Sequence, residues 1–362
     1  MMTIDSTSID AWADDLRGAV ALHLRQQLVP AEGEGSVIFP PTYAMGDKRE
    51  GAPYAVDRIT EGLIVQIDSV GSQANRMEPL FRQSPEGMPS NPLADLVPQI
   101  EIVISVDYSV SILDVGHRLG DALVRSSAMR EESELAFADF AERGDAMRIA
   151  KLAPTSLVFG AWDSRGSGAK VPRIVQSVIR ARRIDALRRS AQYNPAIDYA
   201  RADVFSDEDK QKAEGNTKSP MAQRGFVHVP AVDTHGGVIA HGPIERDVTI
   251  NLVALRQLSS PNDGKKLRRY IMGLALVAAT EPQDGFLRQG CLLTPNPDAP
   301  GVWILVERNG RRVEVALDET VAHAYARAVA KDFGVAEPRR VSFKKELAKA
   351  DVSPKDDKKK KT

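Results

Sequence analysis

The sequence predicts an α+β fold built on an antiparallel sheet with insertions. Short apolar runs of strand length alternate with stretches of helical period, and no run has the length and continuous apolarity of a strand from a parallel sheet. With 43% hydrophobic residues in 362, the chain also has enough apolar material for a sizeable core.

Residues 9–28, "IDAWADDLRGAVALHLRQQL", put Trp12, Leu16, Val20, Leu24 and Leu28 on one helical stripe and predict an opening amphipathic helix ended by "PAEGEG". "SVIFPPTYA" reads as a short strand stopped by Pro40 and Pro41, and Leu63–Ile67 as a strand running into a polar turn and helix. "EIVISV" (101–106) is a further strand. "DVGHRLGDALVRSSAMR" suits a helix with Leu119, Ala122 and Leu123 inward.

"PTSLVFGAW" (154–162) predicts a buried strand. After it, Val171, Ile174, Val175, Val178 and Ile179 fit a helix from Pro172, although "SVIRARRI" also alternates; the reading favours a helix giving way to extended chain near Ala181. Residues 190–225 are polar and of mixed charge, the pattern of a long mobile insertion. "DVTINLVALRQL" returns to strand and helix, and Lys265–Thr280 is helical. "VWILVERNGRRVEVAL" is a hairpin turning at Asn309-Gly310, and the helix after it ends at Gly334. The expected organisation is one domain over 1–343, with the insertion at about 190–225, and a Lys-rich disordered tail over 344–362.

Charge and composition remove several function classes. Lys plus Arg (48) nearly balances Asp plus Glu (49), so attraction to a polyanion must come from a local patch. The single cysteine, Cys291, makes no intrachain disulfide and reads as a small buried hydrophobe in a reducing cytoplasm. The acidic N-terminus has no apolar core of a leader, and the longest apolar run, Tyr270–Thr280, is about half a membrane span, so a cytoplasmic chain without a membrane partner is expected.

The local patch is residues 160–189, "GAWDSRGSGAKVPRIVQSVIRARRIDALRR", where eight arginines and lysines meet two aspartates beside a Gly-rich bend. Arginine's fork suits phosphate oxygens, which points to an anionic partner; the plainer reading is a solvated face. "RGSGAK" is not a Walker loop, because Ala169 follows Gly168 and Val171 follows Lys170. His235 and His241 are six apart, with no HExxH or CxxC, and no metal or other cofactor is expected. No GxSxG occurs, and Cys291 has no nucleophile signature. His117, with Asp121 one turn on, has the spacing of a general base and its orienting carboxylate, but the reading favours a salt-bridged stripe of Arg118, Asp121 and Arg125 over an RNA-contacting one, and either over catalysis.

Several strings occur together in order: "FPPTY" (39–43), "DSVGSQANRMEPLF" (68–81), "GHRLGDALVRSS" (116–127), "PTSLVFGAWDSRGSGAKVPRIVQSVIRA" (154–181), "RSAQYNP" (189–195) and "GGVIAHGPIERDVTINLVALRQL" (236–258). Over about residues 35–260 the chain resembles the backbone subunit of type I-G (formerly I-U) CRISPR Cascade, the seventh Cas family within the RAMP superfamily. The resemblance implies an RRM-like antiparallel core with large insertions, polymerised along a guide RNA (crRNA) whose bases stay free to pair with target DNA. Its implied partners are crRNA, target DNA through the guide, copies of itself in a helical array, other Cascade subunits and a helicase-nuclease.

The expected role is non-catalytic, with RNA contacts from Ser72, Gln73, Asn75, Arg76, His117, Arg118, Arg125, Arg165, Lys170, Arg173, Arg180, Arg182 and Arg183. For "SQANR" the competing reading is a helix N-terminus that caps itself. Two other functions stay open: a metal-independent endoribonuclease using His117, since RAMP relatives include processing nucleases, and a binding protein for a small phosphate ester.

Overall fold

The stretch after Trp12 carries two periods at once, helical through Leu16, Val20, Leu24 and Leu28 and strand-like through Leu22, Leu24 and Leu28. In the computed structural model, which describes residues 2–43 and 54–352, the opening helix is only Ser6–Asp14, capped by Asp5, whose carboxylate accepts from the Ser8 backbone N–H at 2.8 Å. Ala21–Pro30 is a strand with Leu22, Leu24 and Leu28 buried and Arg25 exposed. Period two wins because the strand is sandwiched between partners on both edges.

One edge pairs antiparallel with Ile244–Asn251, from Ala21 opposite Asn251 to Leu28 opposite Ile244. Val175–Arg182, Gly62–Asp68 and Val56–Ile59 follow in that direction. On the other edge Val302–Val306 pairs with Ala21–Arg25 and folds back into Arg312–Val315, while Cys291–Pro295 takes Leu28–Pro30 and leads to Phe286–Arg288. The result is a curled, nine-stranded antiparallel sheet in a mixed α+β fold.

The inner sheet face carries two apolar clusters. Leu22, Leu24, Val248, Ile250, Trp303 and Leu305 join the helices Ser6–Asp14, Gly264–Thr280 and Glu319–Phe333 in the larger one. There Tyr270 stacks on Phe333 at 4.2 Å between centroids and donates its hydroxyl to Leu96 O at 2.8 Å. Leu28, Val65, Ile67, Ile179, Ala181 and Leu293 form the smaller cluster. Each fully buried large apolar side chain contributes on the order of 1.5–3 kcal/mol.

Four local expectations are corrected. Val175–Arg182 is a central strand, not a helix: it needs partners on both sides, which Ile244–Asn251 and Gly62–Asp68 supply. Residues 154–162 are not one strand. Thr155–Phe159 is a helix with all five side chains buried, so it shows no amphipathic signal, and only Ala161–Trp162 is extended. "DVGHRLGDALVRSS" breaks into the 3₁₀ turn Arg118–Gly120 and the short helix Ala122–Arg125. Residues 36–43 make only isolated bridges, Ile38 with Val238 and Thr42 with Tyr54.

The polar insertion has structure of its own. Ile184–Tyr193 and Val229–Ala240 form a long antiparallel ribbon, and the chain between them carries the helices Asp207–Ala213 and Pro220–Gln223. A small core of Ala213, Ala222 and Val227 closes it, with Tyr199 and Phe205 edge-on to Phe226. At the other extreme, Lys345–Val352 is helical where a disordered tail was expected; the rest of that tail lies outside the described residues. No described helix is long and apolar enough to cross a membrane.

Candidate nucleic-acid interface

Part of the polar sequence expected to meet RNA is used inside the protein. Asp68, fully buried at the end of its strand, accepts from Gln73 Nε2 at 2.8 Å and Arg76 Nε at 3.0 Å through one oxygen, and from Arg288 Nη2 at 3.0 Å through the other. Ser177 Oγ donates to Gln73 Oε1 at 2.7 Å and accepts from Arg246 Nε at 3.2 Å. Gln73 and Arg76 therefore belong to a polar layer beneath the sheet, where a buried carboxylate keeps its charge only with such donors. Ser72 follows the capping reading, its N–H donating to Ser69 Oγ at 3.1 Å, and Asn75 stays exposed.

Arg118 is likewise internal, 4% exposed at φ +54°, with Nε 2.7 Å from a Glu78 carboxylate oxygen and Nη1 donating to Gly160 O at 3.1 Å. Burial raises the Glu78 carboxyl to about 7, with Arg118 pulling the other way. Arg125 donates to Gly120 O at 3.2 Å, and its Nε lies 4.0 Å from Asp351. His117 is exposed, but Asp121 does not orient its ring: one Asp121 oxygen accepts from the Leu123 N–H at 2.9 Å as a helix cap, the other from the His117 backbone N–H at 3.3 Å.

The outer sheet face brings Arg25, Glu245 and Asp247 together with Arg180 and Arg182. Arg182 Nε lies 2.9 Å from Glu245 and Arg25 Nε 2.9 Å from Asp247, so much of that face is internally neutralised. Arg180, opposite Glu245 and Gln66, has no carboxylate partner among the described residues. Arg183, at φ +51°, donates to His241 O at 3.1 Å where the ribbon leaves the sheet.

The Gly-rich bend holds the rest. Asp163, 4% exposed, accepts from the Gly166 N–H at 3.1 Å, the Ser167 N–H at 2.6 Å and Ser167 Oγ at 2.9 Å, which closes the loop around its carboxylate. A Cβ on Gly166 would collide with that carboxylate, so this glycine serves the turn itself. Gly160, at φ +82°, lets Arg173 cross its backbone; a Cβ there would lie 2.6 Å from Arg173 Cγ.

Beyond the loop, Trp162 and Lys170 sit opposite each other in a two-residue strand pair, and Lys170 Nζ lies 5.2 Å from the ring centroid. Trp162 is 57% exposed. With Gly116, His117, Gly160 and Arg173 they line an open cavity of about 390 Å³. Arg165, Lys170 and Arg173 have no carboxylate partner among the described residues, and Asp163, the acid of the loop, is committed to its own turn. Trp162 was absent from the expected contacts; its signal was that it is the single aromatic residue within 160–189.

Of the thirteen expected contact residues, this arrangement thus gathers His117, Arg118, Lys170 and Arg173 around one cavity with Arg165 on the loop beside it. It commits Gln73, Arg76, Arg118 and Arg182 to internal partners. No curated protein matches the chain. Residues 22–186, from the first long strand through the Gly-rich bend to the start of the ribbon, match the family model described as CRISPR-associated protein GSU0053, the I-U/I-G type of the seventh Cas family, a match that supports a role in CRISPR defence.

Proposed function

We propose that the chain is a non-catalytic backbone subunit that binds guide RNA in a CRISPR surveillance complex of the Cascade kind. Copies of it line the RNA, grip its backbone and leave the bases to pair with target DNA, alongside other Cascade subunits and a helicase-nuclease. The observation that carries this reading is the cavity at the Gly-rich bend, where Lys170 and Arg173 lack carboxylate partners beside an exposed Trp162. Such a combination of backbone-directed cations and a ring for a base is what single-stranded RNA needs.

The strand order supports an RRM-like core. Taken along the chain, Ala21–Pro30, Val175–Arg182, Ile244–Asn251 and Val302–Val306 lie side by side as fourth, first, third, second, with the helix Gly264–Thr280 before the last of them. That is the order of a βαββαβ sheet. Its outer face is dominated by paired charges such as Arg182 with Glu245, which favours phosphate and 2′-OH contacts over stacking on the sheet.

Purified protein that carries RNA of defined length, seen as an absorbance ratio well above that of protein alone, is the expected result; nucleic-acid-free protein that binds no repeat-derived RNA would sink the reading. The endoribonuclease reading is kept because His117 is exposed at the same cavity. It is tested by incubating labelled repeat RNA with the protein in EDTA: specific cleavage lost in His117→Ala favours the enzyme, and intact RNA favours the backbone subunit.

A further inference from the structure

A second cavity, of about 420 Å³, opens on the inner side of the sheet, away from Arg180 and Glu245. Part of its wall is apolar, with Leu24, Ile179, Leu293, Trp303 and Leu317, and part is polar. Two of the residues that line it, Arg246 and Gln283, each carry a donor that the protein leaves unmatched. Arg246 is 6% exposed; its Nε is used by Ser177, but its Nη2 is buried without a hydrogen-bond partner. Gln283 Nε2, on the segment that follows the Gly264–Thr280 helix, is also buried and unpartnered.

A guanidinium has five donors and no acceptor, and leaving a buried donor unmade costs about 1–3 kcal/mol, more for a charged group. Arg246 also lacks a counterion among the described residues, and burial lowers its pKa to about 10, so it keeps its proton at neutral pH. At Arg246 itself the protein therefore leaves one positive charge unbalanced and one donor unmatched, beside the apolar part of the wall. We propose that this cavity binds a single carboxylate carried on an apolar body, with Arg246 and Gln283 donating to the carboxylate and the leucines and Trp303 enclosing the rest.

The acidic residues that line the same cavity define what is refused. Glu281 is paired with His323 at 2.7 Å and Asp318 caps a helix through the Val321 N–H at 2.9 Å, while Asp284 and Glu319 are exposed. Exposed charges are screened by water and salt, whereas Arg246 is not, so one deep negative charge is tolerated. A phosphate ester, with a second charge and no apolar bulk near the guanidinium, is not. The volume falls in the range of small-molecule sites, about 300–1,000 Å³.

The test is thermal denaturation and calorimetry of the full chain with hexanoate, octanoate and 4-phenylbutyrate, each against its matching alcohol, and with phenyl phosphate. A bound acid at ten times its Kd is expected to raise Tm by about 2 °C and to change tryptophan emission, while the alcohols and phenyl phosphate bind at least about tenfold more weakly. Arg246→Met removes an uncompensated buried charge and is expected to fold and to lose the response to acids; Gln283→Leu is expected to weaken it several-fold. Acids and alcohols binding alike, no acid binding to the wild type at millimolar concentration, or undiminished acid binding in Arg246→Met each overturn the proposal. Should Arg246→Met not fold, the acid-against-alcohol ratio in the wild type and in Gln283→Leu decides on its own.

Discussion

Lys170 and Trp162 are cross-strand neighbours whose ammonium and ring lie 5.2 Å apart, with the ring more than half exposed. A cation at that distance is held near the ring yet remains free to meet a phosphate, and the open ring can receive a base. Trp162→Ala is therefore expected to weaken single-stranded RNA binding by about 5- to 100-fold, with Trp162→Phe losing less, since stacking contributes about 1–3 kcal/mol per base. Fluorescence anisotropy with a labelled repeat oligonucleotide measures this. Equal affinity in Trp162→Ala would remove the ring from the interface.

Salt separates the free cations from the internally paired ones. If Arg165, Lys170, Arg173 and Arg180 each neutralise one phosphate, log K against log[salt] has a slope of roughly −2.8, at ~0.7 per contact. Arg165→Glu with Arg173→Glu is expected to flatten the slope and lower affinity whatever the RNA sequence. Arg182→Ala, by contrast, removes a side chain already spent on Glu245 and is expected to leave the slope unchanged. A steep slope that survives the first double change would place the interface elsewhere.

These contrasts also mark where sequence was informative. The strand Gly62–Asp68 and the hairpin around Asn309-Gly310 were legible because alternation and turn chemistry agree locally. The fates of Gln73, Arg76 and Arg118 were not, since their partners include Ser177, Leu287 and Gly160, far away in the chain. A donor reads the same whether its acceptor is a phosphate or a buried Asp68. Val175–Arg182 and Ala21–Pro30 were misjudged for a related reason: apolar residues four apart satisfy both periods, and only the neighbouring strands choose between them. In the Gly-rich bend, Gly166 is required by Asp163 and not by an approaching phosphate strand, a distinction that composition alone does not carry.

The buried pair Glu78 and Arg118 gives stability a pH signature. The Glu78 carboxyl is raised from 4.5 to about 7 by burial, so between these values the folded state holds a proton that the unfolded state has lost. Stability from this group consequently falls as pH rises through that window. Urea denaturation of wild type and Glu78→Gln at pH 5, 6 and 7 isolates the contribution: the difference in stability between the two is expected to change steadily with pH. A pH-independent difference would show that Glu78 titrates alike in both states. Above pH 7, where Glu78 is ionised, Arg118→Ala is expected to be more severe, about 3–5 kcal/mol, because it leaves a buried carboxylate without its counterion.

A subunit that lines an RNA must touch its copies head to tail, a contact that builds an open array instead of a closed ring. The structured insertion between Tyr193 and Val229 is the candidate for that contact: it sits at the far end of a two-stranded ribbon and carries its own small core, so it can reach outward without leaving the sheet incomplete. Deleting Ala202 to Ser219 would tear that core by removing Ala213 and stranding Ala222, Phe226 and Val227. The cleaner variant joins Tyr193 to Val229, which are already opposite one another, through an Asn-Gly turn. Mass by light scattering is expected to rise in steps with guide length for the wild type, while the shortened chain binds a short oligonucleotide with unchanged affinity and fails to grow. Stepwise growth after the deletion would move the contact to another surface. A fixed dimer at every RNA length would refute the array and return the endoribonuclease reading at His117 to first place.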